Sequence, residues 1–271
     1  MAPIHYFILA IIQSATEFLP VSSSGHLLFY KTILRHPELP VIFDIIVHVG
    51  SLLAIAVYFH KRIMALVIGG LQELAEPKRT KENLRLWVYI LISTGVTLTF
   101  YLFLKPVIEL RYHEPRVLPL TFAFTGVVLI LTRKTQPAKQ LTDRGILLPI
   151  AIGFFQGLAI MPGISRSGAT IAMALFMGVK REEAGFYSFV LAIPAILGAL
   201  VFKMTDIESL HFIRERAGWM AGAFLLSAAG SYLFLSLLTR VLKRGRFWRF
   251  GFYALAMSLV SFFVIITINV S

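Results

Sequence analysis

The chain has no cysteine among its 271 residues, so neither a disulfide nor a thiolate metal site is available to it, and cysteine usage assigns it no redox compartment. Charge is scarce as well. Only 15% of the residues are Asp, Glu, Lys or Arg, against roughly a quarter in soluble domains. Acids are the scarcer sign, 14 against 26 bases, which leaves a formal net charge of +12. What fills the chain instead is apolar: 57% of residues are hydrophobic and the mean hydropathy is +0.78. That balance excludes an ordinary soluble domain and describes an all-α polytopic membrane protein. The excess of base raises nucleic acid as a partner, but the basic residues cluster in short loops between apolar runs, as cytoplasmic loops do. No nucleic-acid partner is expected. The first segment, "MAPIHYFILAIIQ", lacks the basic n-region and small-residue cleavage site of a secretory signal and is read as part of the mature protein.

Six stretches are long and apolar enough to cross a bilayer, at 42–60, 86–104, 117–132, 186–202, 218–239 and 250–268. The loop at 61–85 holds six bases (Lys61, Arg62, Lys78, Arg79, Lys81, Arg85) against Glu73, Glu76 and Glu82, and reads as cytoplasmic. So do 133–145, with four bases against Asp143, and 240–249, with five bases and no acid. The loops at 105–116 and 203–216 are nearly balanced and read as external. Two further apolar segments do not fit as full spans. Residues 4–30 are broken at Pro20, and 146–179 at "MPGIS", where Pro162 has no amide hydrogen and Gly163 permits unusual dihedrals. Loop charge puts both ends of 146–179 inside and both ends of 4–30 outside. Both therefore read as re-entrant helical hairpins that enter from opposite faces.

The two hairpins also align with each other. Gln13 matches Gln156 and "SSSG" at 22–25 matches "SRSG" at 165–168, both at an offset of 143, and "HVGSLLAIAVYFHK" then resembles "AIPAILGALVFK". One hairpin and three spans per half is an odd number of crossings, which turns the second copy upside down: an inverted-topology repeat. The expectation is a single integral membrane domain over 1–271, with repeat halves of about 1–135 and 144–271.

The polarity of "QSATEFLPVSSSGH", Gln13 to His26, is the anomaly in such a chain. A carboxylate at mid-membrane costs about 2.5 to 3.5 kcal/mol on insertion scales, so Glu17 needs a partner or a function. Gln13 and Glu17 share a helix face, and Pro20 lets a new helix start near Ser22, whose unbonded amides and hydroxyls (Ser22, Ser24) suit an anion. Ser23 and His26, three apart, form the minimal hydroxyl and imidazole pair for phosphoryl transfer, although His26 can equally attack by itself. Arg166 follows the second break, where its guanidinium can take two phosphate oxygens, with Ser165, Ser167 and Thr170 as hydroxyl donors. Plainer roles compete with these: serines that only cap helices, a structural Glu–Arg salt bridge, a packing histidine. Asp44 and His48, four apart in the first span, read as helix-to-helix hydrogen bonding or as support behind the site.

With these residues in view, "QSATEFLPVSSSGH" and "PGISRSGAT" at 162–170 resemble the two signatures of the bacterial undecaprenyl-diphosphate phosphatases of the bacitracin-resistance type, and the resemblance extends over essentially the whole chain. It implies a multi-pass hydrolase of the bacterial plasma membrane, its site open to the external face. Such an enzyme converts undecaprenyl diphosphate to the monophosphate carrier of cell-wall synthesis, which confers bacitracin resistance. The family residues fall here on Glu17, Ser23, His26 and Arg166, with Ser165 and Thr170 as phosphate ligands. It further implies help from a divalent cation, Mg²⁺ or Ca²⁺, for which Glu17 is the candidate ligand. One departure stands out. Many members carry a second glutamate where this chain has Gln13, whose amide cannot act as a base and binds a hard cation less strongly. The partners expected are the polyprenyl diphosphate, the membrane and, with oligomeric state left open, a second copy in a homodimer. The attacking group is left open among Ser23, His26 and water, and the rival reading is a lipid-carrier transporter or flippase of the inverted-repeat type.

Overall fold

Backbone amides and carbonyls have no water to bond in hydrocarbon, so an apolar chain of this kind satisfies them within helices. The computed structural model describes residues 4–33, 41–76, 80–112, 114–204 and 207–270, and among these there is no strand, only an isolated bridge between Lys139 and Val179. The external-loop reading of 31–41 falls largely outside the described residues. So do Lys78, Arg79 and Asp206 among the charges that orient the loops.

The first segment folds as α1 (Ile4–Phe18) and α2 (Ser23–Ile33), followed by α3 (Val41–Tyr58), α4 (His60–Ala75), α5 (Glu82–Tyr112) and α6 (Leu118–Leu131). The order then recurs: α7 (Leu147–Leu158), α8 (Arg166–Phe176), α9 (Arg181–Met204), the short α10 (Ile207–Glu215), α11 (Ala217–Lys243) and α12 (Phe250–Val270). Both expected hairpins are present, since α1 packs on α2 and α7 on α8. Across the molecule α1 lies against α11, α7 against α5, α3 against α9 and α6 against α12.

Among the described residues, five helical stretches are long and apolar enough to span a membrane, from Glu82, Pro115, Arg181, Ala217 and Phe247 onward. The sixth expected span differs. It is α3, which turns by 77° at Phe59 into α4. Residues 60–75 are thus a helix where the sequence reads as a cytoplasmic loop. Charge at Lys61 and Arg62 masks an apolar face formed by Met64, Val67, Ile68, Leu71 and Leu74, all exposed. Glu73 on this helix is buried and accepts the first-turn amides of α5, from Asn83 at 3.2 Å and Leu84 at 2.9 Å, so α4 caps its successor.

The polarity of the molecule is reversed relative to a soluble protein. Phe103 and Leu120 are 81% and 77% exposed, whereas Gln13 is 0% exposed. Polar side chains stitch the helices from within, as lipid gives no hydrophobic drive to hold them together. The Ser93 and Tyr187 hydroxyls meet at 2.7 Å, with the Pro149 carbonyl 2.7 Å from Ser93 and the Tyr89 carbonyl 2.8 Å from Tyr187, so one hydroxyl hydrogen bridges the pair and the other reaches a carbonyl. Ser51 meets Ser231 at 2.8 Å, and Ser227 donates to the Val47 carbonyl at 2.6 Å, across α3 and α11. The main apolar cluster joins Phe18 at the end of α1 to Ile55 of α3, Phe189 of α9 and Leu238 of α11.

Candidate active site

Each break is built by its sequence. After α1, Pro20 cannot continue the helical ladder, and Ser22 takes a left-handed φ of 70°, uncommon for a residue with a side chain. Its hydroxyl accepts two amides, from Gly25 (3.3 Å) and from Gly163 (3.1 Å), so it caps α2 and also pins the opposite break. In the second break Gly163 has φ 92°, and Ser165 caps α8 by accepting the Gly168 amide at 3.0 Å. Thr125 of α6 donates to the Gly163 carbonyl (2.8 Å) and accepts the Ser165 amide (3.1 Å). The breaks touch at backbone level: a Cβ on Gly25 would come within 2.8 Å of the Gly163 Cα.

Between them lies a cavity of about 330 Å³. The hairpins contribute Glu17, Ser22, Ser23, Ser24, Ser165, Arg166 and Gln156; α3 adds Asp44 and His48, and α5 adds Thr97. The rest of the wall is mostly apolar, including Ile45, Ile164, Ala195, Ile196 and Ala199. Glu17, 6% exposed, is the hub. Its Oε1 is paired with the Arg166 guanidinium. Its Oε2 accepts the Gln13 amide at 2.7 Å and the Ser23 hydroxyl at 2.7 Å, and the His48 Nε2 lies 3.3 Å away. Arg166 is the first residue of α8 and Ser23 the first of α2, so the amide-rich starts of two helices face the same space.

Six of the expected site residues therefore come together: Glu17, Ser22, Ser23, Ser24, Ser165 and Arg166. Gln13 stands behind them and holds the carboxylate. Three others are turned to different uses. Ser167 donates to the Phe18 carbonyl at 3.0 Å, tying α8 to the end of α1. Thr170 donates back to the Arg166 carbonyl (2.8 Å) and meets Ser188 at 2.6 Å, so neither hydroxyl lines the cavity. His26 is the main departure from expectation. Its Nδ1 is 2.8 Å from the Ser22 carbonyl, its Nε2 is 2.8 Å from the Tyr253 hydroxyl, and Phe122 meets it edge to face. The expected Ser23–His26 pair is not formed. Bonding back to the preceding turn sends the ring toward α6 and α12, while Ser23 reaches over the break to Glu17.

His48 is the residue that the sequence reading undervalued, as it sits in the cavity against the carboxylate rather than behind it. The signal was present: an imidazole in an apolar span is by default a functional candidate, and Glu17 was in want of a partner. Lys31 pairs with Asp44 at 3.1 Å on the α3 side of the cavity.

A divalent cation on Glu17 does not suit these residues. Both carboxylate oxygens already face donors, two of them cationic types, whereas Mg²⁺ or Ca²⁺ asks for about six oxygen ligands. Among the described residues no group of three or more His, Asp or Glu side chains is placed to hold a metal ion. Among the described residues the buried amide oxygens of Gln13 and Gln156, one in each hairpin, have no partner, which falls well short of a cage.

This architecture can be set beside known proteins. The family model described as bacitracin resistance protein BacA matches residues 6–260. An undecaprenyl-diphosphatase of Treponema denticola is 35% identical over 254 residues, covering 93% of each chain. Another, from Teredinibacter turnerae, is 36% identical over 267 residues, 97% of this chain and 99% of its relative. A third, from Desulfosudis oleivorans, is 36% identical over 275 residues. With a match along nearly its whole length, the chain belongs to the bacitracin resistance protein BacA family.

Proposed function

We propose that the chain is a membrane phosphatase that hydrolyses undecaprenyl diphosphate to undecaprenyl phosphate and inorganic phosphate. It would thereby recycle the lipid carrier of cell-wall synthesis and confer bacitracin resistance. Family membership and the names of its relatives support the reaction. One contact carries the chemical reading: in the cavity, the Ser23 hydroxyl donates to Glu17 while Arg166 holds the other carboxylate oxygen.

The head group enters the cavity from the external, periplasmic side of the bacterial plasma membrane, and its prenyl tail stays in lipid. Free guanidinium N–H groups of Arg166 and the starts of α2 and α8 bind the phosphate oxygens. Ser23 Oγ attacks the terminal phosphorus and passes its proton to Glu17. As the Oγ–P bond forms, the bridging P–O bond breaks and its electron pair leaves on undecaprenyl phosphate. Water then cleaves the phosphoserine, releasing inorganic phosphate and restoring the Ser23 proton. Positioning and charge supply most of the acceleration, as is general for phosphoryl transfer.

A transport-only role leaves the contact between hydroxyl and carboxylate without a purpose. The deciding assay is phosphate release from undecaprenyl diphosphate by the purified protein in detergent. Turnover by the unaltered chain, lost in Ser23→Ala, supports the reading; absence of turnover, or a Ser23→Ala variant of unchanged rate, overturns it.

A further inference from the structure

His48 carries an inference about how this chain neutralises its ligand. Its Nδ1 lies 2.5 Å from the Asp44 carbonyl, an acceptor only, so that nitrogen bears a hydrogen. Its Nε2 faces Glu17 Oε2, at which Gln13 and Ser23 also donate while Arg166 donates at Oε1. Both oxygens of Glu17 are taken up as acceptors, by three donors of which one is a guanidinium, and a ring nitrogen set 3.3 Å from such an oxygen bears a hydrogen too. A ring with hydrogens on both nitrogens is an imidazolium. The other charged groups near it are few. Asp44, on the same helix, is paired with Lys31 of α2; α8 offers Arg166; the wall from α5, α7 and α9 is Thr97, Gln156, Ala195, Ile196 and Ala199, none of them charged.

With Asp44 of the cavity wall offset by Lys31, the cavity sets two cations, His48 and Arg166, against the remaining anion, Glu17. Gln13, which adds no second negative charge, keeps the balance positive. We propose that His48 and Arg166 form a resident cation pair that binds the diphosphate without a divalent metal ion, His48 acting as a positioning residue through Glu17. The inference rests on the diphosphate-binding reading above and deepens it.

The test is the affinity of the purified full-length protein for inorganic diphosphate, measured calorimetrically with a chelator and again with millimolar Mg²⁺. The expected result is an affinity that the chelator changes by less than about twofold. His48→Gln keeps a donor for Glu17 and drops the charge, so binding in chelator should weaken by at least about tenfold with an unchanged unfolding midpoint, and the KM for the lipid should rise more than kcat falls. Binding that vanishes in chelator and returns with Mg²⁺ overturns the proposal, as does a His48→Gln variant that binds like the parent. Should that variant fail to fold, the chelator comparison on the unaltered protein still decides. A protein that binds diphosphate in chelator yet releases no phosphate from the lipid would sink the phosphatase reading and leave the cation pair standing.

Discussion

Arg166 and Glu17 meet in a cavity whose remaining wall is mostly apolar, where a guanidinium fork cannot be replaced by a point charge. Arg166→Ala should lower phosphate release by at least about a hundredfold, and Arg166→Lys should recover little of it; a steady-state assay of both variants checks this. Ser165 serves a different end. Its hydroxyl caps α8, so Ser165→Ala should cost about 1 kcal/mol of stability, read in thermal unfolding. At this scale the sequence was legible where a residue's role follows from local geometry. Glu17, Ser23 and Arg166 flank helix breaks that proline and glycine announce. It was misleading where a role depends on a distant helix. Nothing local tells that Ser22 would accept the Gly163 amide, that His26 would turn to Tyr253, or that His48 of α3 would reach Glu17 of α1.

Among the elements, the two hairpins depend on glycines at their point of contact. A methyl group on Gly25 would meet the Gly163 backbone and the Phe122 ring at 2.8 Å, and the Gly163 main chain cannot yield as a flexible side chain would. Gly25→Ala should therefore separate the two helix starts and cost well over tenfold in turnover, since misplacement by about 1 Å is worth about a hundredfold in a positioned reaction. The same assay on folded variant protein tests it. The turn from α3 into α4 makes a second case. Glu73→Ala removes the acceptor of two α5 amides and should destabilise the protein by about 1 to 2 kcal/mol, visible as a lower unfolding midpoint. The hairpin breaks could be read from Pro20 and "MPGIS". Helix α4 could not, because its basic start resembles a loop and its apolar face has the spacing of a helix lying along a surface rather than crossing it.

For the molecule as a whole, the lack of cysteine offers a direct test of orientation, because any introduced thiol is the only one present. Exposed Arg116 and Lys139 stand in loops that charge assigns to opposite faces. In intact cells Arg116→Cys should react with a membrane-impermeant maleimide and Lys139→Cys should not; the reverse pattern would invert the assignment. The recurrence of element order, with α2 and α8 each of 11 residues, was foreshadowed by the aligned motifs at an offset of 143. The packing of α1 on α11 and α7 on α5 was not, since apolar composition leaves the choice of neighbour to shape. The meeting of Gly25 with Gly163 has one more consequence. Main chain against main chain, bridged by the Ser22 hydroxyl, leaves no room between Gly25 and Gly163 for another group to pass. A head group bound on one side of that contact cannot cross it unless the contact opens and its bond is broken, so in this conformation product departs through the doorway by which substrate came.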